Sequence, residues 1–331
     1  MTSELKKAVI SGDSEKALQI VKENSAKNGW SLITVIEEFM PLLLMEANLK
    51  HSNFHQVKMA LFLRELVEAG AMDKTTRAVV GELMVQELAR KHMIAVSVDD
   101  WGTHSSGDKF PRESFLSEVR NGNVHNAFYY SQQMFRTDKE RLFNLLLKLG
   151  AFSLSDTLGH SISCFYPVVT DLMYTDSPWR SNALFTLCMY LCRYSVNAEH
   201  LNNSEGSVKS PEYLNRLLGL CASGTGIVNL HHMITFYMLY AWQESPFNPK
   251  QKVPWQLLVE WVGDKRSEFE KDRISTPLIF EHRLPETYNE FEEIMDLEDM
   301  DTSTSCLYVL LNESPTDAYN WTFRYFASLY S

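Results

Sequence analysis

Histidine recurs in similar company at three places in the sequence. Four-residue segments reading NLKH, TLGH and NLHH end at His51, His160 and His232, and each lies between an apolar stretch and another helix-like apolar run. An imidazole can ligate a transition metal or transfer a proton near neutral pH. The recurrence therefore predicts a site at which these three side chains line a common pocket and carry catalysis.

An internal echo accompanies the first two histidines. The stretches AVISGDSEKA and EVRNGNVHNA align at an offset of 110 residues, which pairs Gly12 with Gly122. After the loss of one residue, His51 falls on His160. A repeat that brings back an ionisable side chain predicts diverged modules whose histidines share a role.

The spacing of nearby groups suggests metal ligands. His51 and His55 are four residues apart, and Asp156 precedes His160 by four, so each pair would share one face of a continuous helix. Histidines with a carboxylate suit non-haem iron or another transition metal. The candidate metal ligands are therefore His51, His55, Asp156, His160 and His232.

Structural roles for the same histidines remain an open alternative. If Ser52 caps a new helix, His51 lies in a joint between helices and its spacing to His55 loses its meaning. Repeats also conserve residues for packing, and a cation near a helix C-terminus is favourable. Adjacent His231 and His232 point about 100° apart on a helix, so one of them would face the site, and the repeat register favours His232.

Composition limits the class of partner. The 331-residue chain is 45% hydrophobic and carries a formal net charge of −11, with a pI near 5.4. This balance argues against a nucleic-acid or anionic-membrane partner, because either would need a clustered basic face. The sequence has no run of eighteen apolar residues and no apolar signal segment, so we expect a cytoplasmic protein.

Cysteine usage agrees with a reducing compartment. Five cysteines in a chain of this length do not make a disulfide framework. Cys188 and Cys192 are four apart and could ligate a metal, but their apolar setting, LFTLCMYLCRY, favours thiols that pack as small hydrophobic groups.

Helical periodicity dominates the chain, and glycine and proline are sparse. The sequence predicts an all-α fold, a multi-helix array of two or three diverged repeats packed as one body. The segments with the strongest helical pattern are 6–11, 32–39, 57–67, 75–91, 115–120, 124–135, 140–149, 182–194, 213–220, 227–242, 255–268 and 318–330. Gly12 ends the first of these helices, and Asp13 or Ser14 can cap the next. Ser31 can cap the segment 32–39, in which Leu32, Val35, Ile36 and Phe39 form one apolar stripe.

Polar, turn-rich segments divide the chain into three predicted modules. The first module covers residues 1–97, the second 113–196 and the third 212–331, with linkers at 98–112 and 197–211. Residues 286–301 contain eight acids and no base, which indicates a solvated helix face or loop, or alternatively a partner-binding segment.

Three windows carry a family resemblance. They are NLKHSNFHQVKMAL, TLGHSISCFYPVVTDL and NLHHMITFYMLYAW, and they resemble the histidine-bearing helices of questin-oxidase-like proteins and of histidine-rich helical regions found beside Rieske ferredoxin domains. The resemblance implies an all-helical fold and oxygenase-type chemistry on an apolar organic substrate. It places His51, His160 and His232 at the site, with His55 near the first. No Rieske cysteine/histidine pattern is present, so electrons would come from an external donor.

Two hypotheses follow for function. The first is an oxygenase-like oxidoreductase whose histidines either hold a metal or act as general acid and base on an aromatic or polyketide-like substrate. The second is a non-catalytic helical scaffold, or a protein that binds a ligand or a protein partner. A shared pocket for the three histidines would favour the enzyme.

Overall fold

A computed structural model describes residues 3–44, 55–68, 110–154, 156–157, 159–175, 177–194, 227–250 and 252–264, with the pairs 77–78, 81–82, 84–85 and 88–89. Within these residues the regular structure is helical and no β-strand occurs, which confirms the all-α prediction. No helix in this described part combines the length and the apolarity needed to cross a membrane.

The chain divides into two compact units. Unit 1 comprises residues 1–96, 219–230 and 273–331, and unit 2 comprises residues 97–218 and 231–272. Unit 2 therefore contains residues from both the second and the third predicted modules.

Unit 1 begins with α1 (Ser3–Ser11), α2 (Ser14–Asn28), α3 (Leu32–Leu43) and α4 (His55–Glu68). The side chain of Ser31 caps α3 by accepting a hydrogen bond from Thr34 N, as the sequence predicts. The predicted stripe on α3 is also confirmed, because Val35, Ile36 and Phe39 are all buried.

Unit 2 contains α5 (Arg112–Arg120), α6 (Val124–Ala151), the short helices α7 (His160–Ser163) and α8 (Phe165–Val168), and a π-helix over Val169–Tyr174. The helices α9 (Arg180–Arg193), α10 (Ile227–Glu244) and α11 (Trp255–Asp264) follow, and α10 belongs to unit 2 from His231 onward. Both α5 and α9 pack along α6, which is the longest helix of the described part.

A break divides α6 near its middle. The backbone of Asp138 leaves the helical region with φ −161° and ψ 89°, and its Oδ1 accepts a hydrogen bond from Arg141 N at 3.0 Å. Asp138 thus acts as an N-cap inside the helix. The break lies between the two helical segments, 124–135 and 140–149, that the periodicity predicts.

The joints after α1 and α5 have the same geometry. Gly12 and Gly122 adopt left-handed φ values of 76° and 70°. In each joint the glycine N–H bonds the carbonyl three residues back at 3.1 Å, and the next N–H bonds the carbonyl five residues back at 2.9 Å. This pattern is a Schellman turn, in which glycine is favoured because other residues are strained at positive φ.

The two helix pairs also bury equivalent positions at an offset of 110. The side chains concerned are fully or almost fully buried, and they are Leu5 and Phe115, Val9 and Val119, and Ala17 and Ala127. The residue after each joint glycine caps the next helix. Asp13 Oδ1 accepts a hydrogen bond from Lys16 N, and Asn123 Oδ1 accepts one from Asn126 N. Local geometry is therefore shared, while the duplication of whole modules stays a prediction.

Replacing either joint glycine should destabilise the protein. We expect Gly12→Ala and Gly122→Ala each to lower the free energy of unfolding by about 1–2 kcal/mol, because alanine is strained in the left-handed region. Urea unfolding followed by circular dichroism measures the change.

Gly81→Ala is the matched control. Gly81 is helical, and an added Cβ would meet Leu32 Cδ1 at an ordinary 3.6 Å, so this variant should be neutral or up to about 1 kcal/mol more stable. If all three variants lost the same free energy of unfolding, the positive φ of Gly12 and Gly122 would not be the cause of the loss.

Candidate functional site

His160 is the first residue of α7 and is only 2% exposed. Its Nδ1 lies 2.6 Å from the carbonyl oxygen of Thr157, and its backbone N–H donates to the same oxygen at 3.0 Å. A carbonyl oxygen can only accept, so Nδ1 carries the hydrogen of this bond. The ring is thus held in one orientation by the turn that precedes the helix.

Buried hydroxyl groups surround that turn. Thr157 Oγ1 donates to Ser153 O at 2.6 Å, lies 2.9 Å from Ser161 Oγ, and accepts from Ser161 N at 3.3 Å. All three side chains are buried. Hydrogen bonding of this kind compensates the cost of removing polar groups from water.

Tyr190 extends the polar cluster from α9. Burial raises the pKa of its phenol well above the usual value, and the nearby Cys164 and Tyr194 raise it further, whereas the Thr157 hydroxyl lowers it. The ring of Phe165 packs edge-on against Tyr190, with centroids 5.1 Å apart. The polar cluster of Ser153, Thr157, His160, Ser161 and Tyr190 therefore lies within an apolar core.

Gly159 brings a second segment close to His160. Its φ is +77°, and a Cβ at this position would collide with Thr235 Oγ1 and would approach Trp261 to within 2.8 Å. Thr235 Oγ1 also donates to Gly159 O at 3.5 Å. The missing side chain thus allows α10 and α11 to pack against the turn that carries His160.

The predicted pairing of Asp156 with His160 on one helical face is wrong. Asp156 is exposed in a turn, whereas His160 is buried at the start of α7. The left-handed backbone of Gly159 separates the two residues, so no continuous helix joins them. The carboxylate and the imidazole therefore do not share the face that the spacing of four residues predicts.

Most of the predicted site lies outside the described side chains. His51 falls outside the described residues, and His55 and His232 are placed only as backbone positions, in α4 and α10. Among the side chains that are described, no group of three or more His, Cys, Asp and Glu could hold a metal ion. The common pocket for His51, His160 and His232 stays a prediction.

The structure also places one further histidine and two of the cysteines. His125 is exposed at the start of α6, with its ring centroid 6.0 Å from that of Phe185. Cys188 is fully buried and donates to Ser131 Oγ at 3.4 Å, as expected for a thiol packed in the core. Cys192 is half-buried.

Sequence reasoning missed the residues that hold His160 in place. Thr157 and Ser161 lie within one turn of it along the chain, and short side-chain hydrogen bonds at a helix start are typical of threonine and serine. The signal was therefore present in the segment SDTLGHS. Tyr190 carries no comparable signal, because packing of α9 brings it near.

A cavity of about 550 Å³ lies in unit 1, between the end of α2, the start of α3 and the residue pairs 77–78 and 81–82. Trp30 and Arg77 line it, together with an ion pair in which Lys22 Nζ lies 3.1 Å from Glu82 Oε2. Its described lining includes no histidine, so it differs from the histidine-lined pocket that the sequence predicts.

Comparisons with protein-family models, with curated proteins and with solved structures found no match for this chain.

Replacing Gly159 should be more harmful than replacing a joint glycine. Gly159→Ala adds contact with Thr235 and Trp261 to the strain of a positive φ, so we expect a loss of about 2–5 kcal/mol in the free energy of unfolding. Chemical denaturation measures the loss. The control is Gly122→Ala, whose Cβ would meet Cys192 O at an ordinary 3.7 Å, and equal losses of stability in the two variants would contradict the close packing at Gly159.

Native Cys188 should resist alkylation. Burial is the main cause that raises the pKa of its thiol to about 12, so about one ten-thousandth of it is thiolate at pH 8. The pKa of Cys192 is raised to about 11, chiefly by burial. Iodoacetamide labelling with site-resolved mass spectrometry should therefore modify Cys192 well before Cys188, with equal labelling only after denaturation. Equal alkylation rates for Cys188 and Cys192 in the native protein would show that the Cys188 thiol is not buried.

Proposed function

We propose that this protein is an oxygenase-like oxidoreductase in which His160 acts as the general base on an apolar organic substrate. The observation that supports the proposal is the 2.6 Å contact between His160 Nδ1 and Thr157 O. This contact assigns the hydrogen of a neutral ring to Nδ1, which leaves the lone pair on Nε2. A base oriented in this way by a backbone carbonyl is typical of catalytic histidines.

The surroundings of the ring suit proton transfer. An imidazole buried at 2% exposure beside the hydrogen-bonded hydroxyl groups of Thr157 and Ser161 is shielded from bulk water, and electrostatic interactions are stronger in such an environment. The ring therefore needs little reorganisation before it accepts a proton through Nε2. Ile162 and Phe165, which follow closely in the sequence, are also fully buried, and an apolar core of this kind favours an apolar substrate over a charged one.

The register of α10 supports including His232 in the same site. His232 lies three residues before Thr235 in this helix, and residues three apart share one helical face. Thr235 packs directly against Gly159, the residue before His160. We therefore expect His232 to act with His160.

A metal is compatible with part of the candidate ligand set. His160 Nε2 is suited to ligation because its Nδ1 is already held by Thr157 O. Asp156 does not fit, since it is exposed and separated from His160 by Gly159. If iron is bound, it supplies the activation of oxygen, and electrons come from an external donor as the resemblance implies. His160 would orient the bound group.

A non-catalytic role is the second candidate, and the same contact favours it. The carbonyl of Thr157 accepts hydrogen bonds from both the backbone N–H and the ring of His160, so the imidazole also stabilises a tight turn at a helix start. In a scaffold or ligand-binding protein that role alone would account for a buried histidine. The two candidates differ only in whether Nε2 takes part in function.

Two substitutions at His160 separate these roles. The side-chain amide of asparagine can occupy the position of Nδ1, whereas that of glutamine reaches about as far as Nε2. We expect His160→Asn to keep the bond to Thr157 O and to unfold within about 1 kcal/mol of the wild type. It should nevertheless lose activity by about a hundredfold or more, because the base is gone. His160→Gln should lose both stability and activity.

The assay is oxygen uptake with a panel of phenolic and polyketide-like aromatic compounds, with ascorbate as the external electron donor. His125→Asn is the control, because His125 is exposed in the same unit and should leave uptake unchanged. Activity retained in His160→Asn would assign a structural role to the ring. Absence of uptake by the wild type across the panel would contradict the oxidoreductase proposal. Elemental analysis of both proteins tests whether a metal depends on His160.

A further inference from the structure

The cavity of unit 1 has the size and the composition of a site for a small ligand. Its volume is about 550 Å³, which falls within the range of roughly 300–1,000 Å³ that is typical of ligand pockets. The side chains of Val21, Leu32 and Val35 are buried and form its apolar surface. Polar and charged side chains complete the described lining. The cavity therefore combines an apolar surface with groups that can recognise a charge.

The turn between α2 and α3 brings an aromatic ring to this cavity. Gly29 caps the end of α2 in the left-handed region, with φ +67°, and Ser31 caps the start of α3, so Trp30 occupies the joint. Trp30 is half-buried and lines the cavity. A Cβ on Gly29 would meet no heavy atom within 4 Å, so the space beside the joint is open. An indole next to open space offers a face on which a planar apolar ligand can pack.

An ion pair connects two walls of the cavity. Lys22 Nζ, on α2, lies 3.1 Å from Glu82 Oε2, and both residues line the cavity. The side chain of Lys22 is 54% exposed and that of Glu82 is 25% exposed. An ammonium group has three N–H donors, so Lys22 can keep its bond to Glu82 and donate to a ligand as well. A pair this exposed contributes little to stability, so either residue can be replaced without loss of the fold.

The described lining of the cavity carries more positive than negative charge. Lys22 and Arg77 supply two cations and Glu82 supplies one carboxylate, which leaves an excess of one positive charge in a chain whose net charge is −11. A guanidinium has five N–H donors, so Arg77 can serve a ligand in addition to its contacts within the protein. This balance is complementary to a ligand with a single negative charge.

We propose that the cavity binds a small aromatic carboxylic acid in its ionised form. The aromatic ring packs against Trp30 and the apolar surface, and Lys22 holds the carboxylate, with Arg77 as the second cation. One excess positive charge suits a monocarboxylate better than a phosphate monoester, which carries nearly two negative charges at neutral pH. The cavity belongs to unit 1 and His160 to unit 2, and the proposal does not depend on the oxidoreductase function.

Three naphthalene probes of matched shape and different charge test the proposal. They are naphthalene carboxylate, the uncharged carboxamide and the positively charged aminomethyl compound. Ligand-observed NMR titration of the whole protein measures the dissociation constant of each probe. We expect the carboxylate to bind at least about threefold more tightly than the carboxamide, and the cation to bind most weakly. Equal affinities for the three probes, or no binding of the carboxylate, would overturn the proposal.

Two substitutions of the ion pair should change the affinity in opposite directions. Lys22→Gln should weaken binding of the carboxylate by about threefold to tenfold and leave binding of the carboxamide unchanged, because a charge-assisted hydrogen bond is lost. Glu82→Gln should tighten binding of the carboxylate by about twofold to fivefold, because it removes the negative charge that competes for Lys22. Circular dichroism checks that both variants keep the wild-type fold.

The matched controls are Lys27→Gln and Glu23→Gln. These two residues form an ion pair at 3.3 Å on the same helix, α2, and neither belongs to the described lining of the cavity. Both variants should bind naphthalene carboxylate as the wild type does. Changes as large as those in the Lys22 and Glu82 variants would assign the effect to the general charge of α2 and would overturn the proposal.

Filling the cavity tests its location independently of charge. Ala26 is exposed in α2 and lines the cavity, and leucine has almost the helix propensity of alanine, so Ala26→Leu should fold normally. We expect it to weaken binding of all three probes by about fivefold or more, because leucine occupies the space of the ligand. Undiminished binding in Ala26→Leu would show that the probes bind elsewhere.

Discussion

The close approach at Gly159 is the constraint on which the candidate site depends. Because this residue has no Cβ, Thr235 and Trp261 can lie directly against the turn before α7. Their packing buries the turn, and the burial in turn requires every polar group within it to find a partner. Thr157 satisfies this requirement for Ser161 and for the ring of His160. The orientation of the imidazole is thus a consequence of backbone packing.

A buried histidine with one ring nitrogen hydrogen-bonded to the backbone can have a structural role and a chemical role at the same time. The bond to Thr157 O contributes to stability, typically by about 1 kcal/mol, and it also determines which nitrogen can react. A purely structural histidine needs no partner of particular chemistry on Nε2, whereas a base must face a substrate. Stability alone therefore does not distinguish the two roles, and variants that separate Nδ1 from Nε2 do.

Sequence patterns predict features that depend on neighbours along the chain. The caps at Ser31 and Asp13, the joint at Gly12 and the stripe on α3 follow from local hydrogen bonding and helical periodicity. The π-helix over Val169–Tyr174 was not predicted, because a widened turn leaves no simple period. The Asp156–His160 pair failed because spacing assumes a continuous helix, and the sequence alone did not reveal the left-handed turn at Gly159.

Charge shows the same difference between local and tertiary information. The formal net charge of −11 is a sum over the whole chain, whereas a buried group responds to the few charges around it. Burial lowers the pKa of Lys148, and the positive charges of Arg112, Lys252 and Lys250 lower it further, although these residues are spread over 141 positions of sequence. Packing places α5 along α6, and the hydrogen bond from the Asn144 amide to Phe247 O fixes the turn after α10 to the same helix. Because salt screens charges that lie more than about 10 Å apart, distant acidic residues have little influence on Lys148.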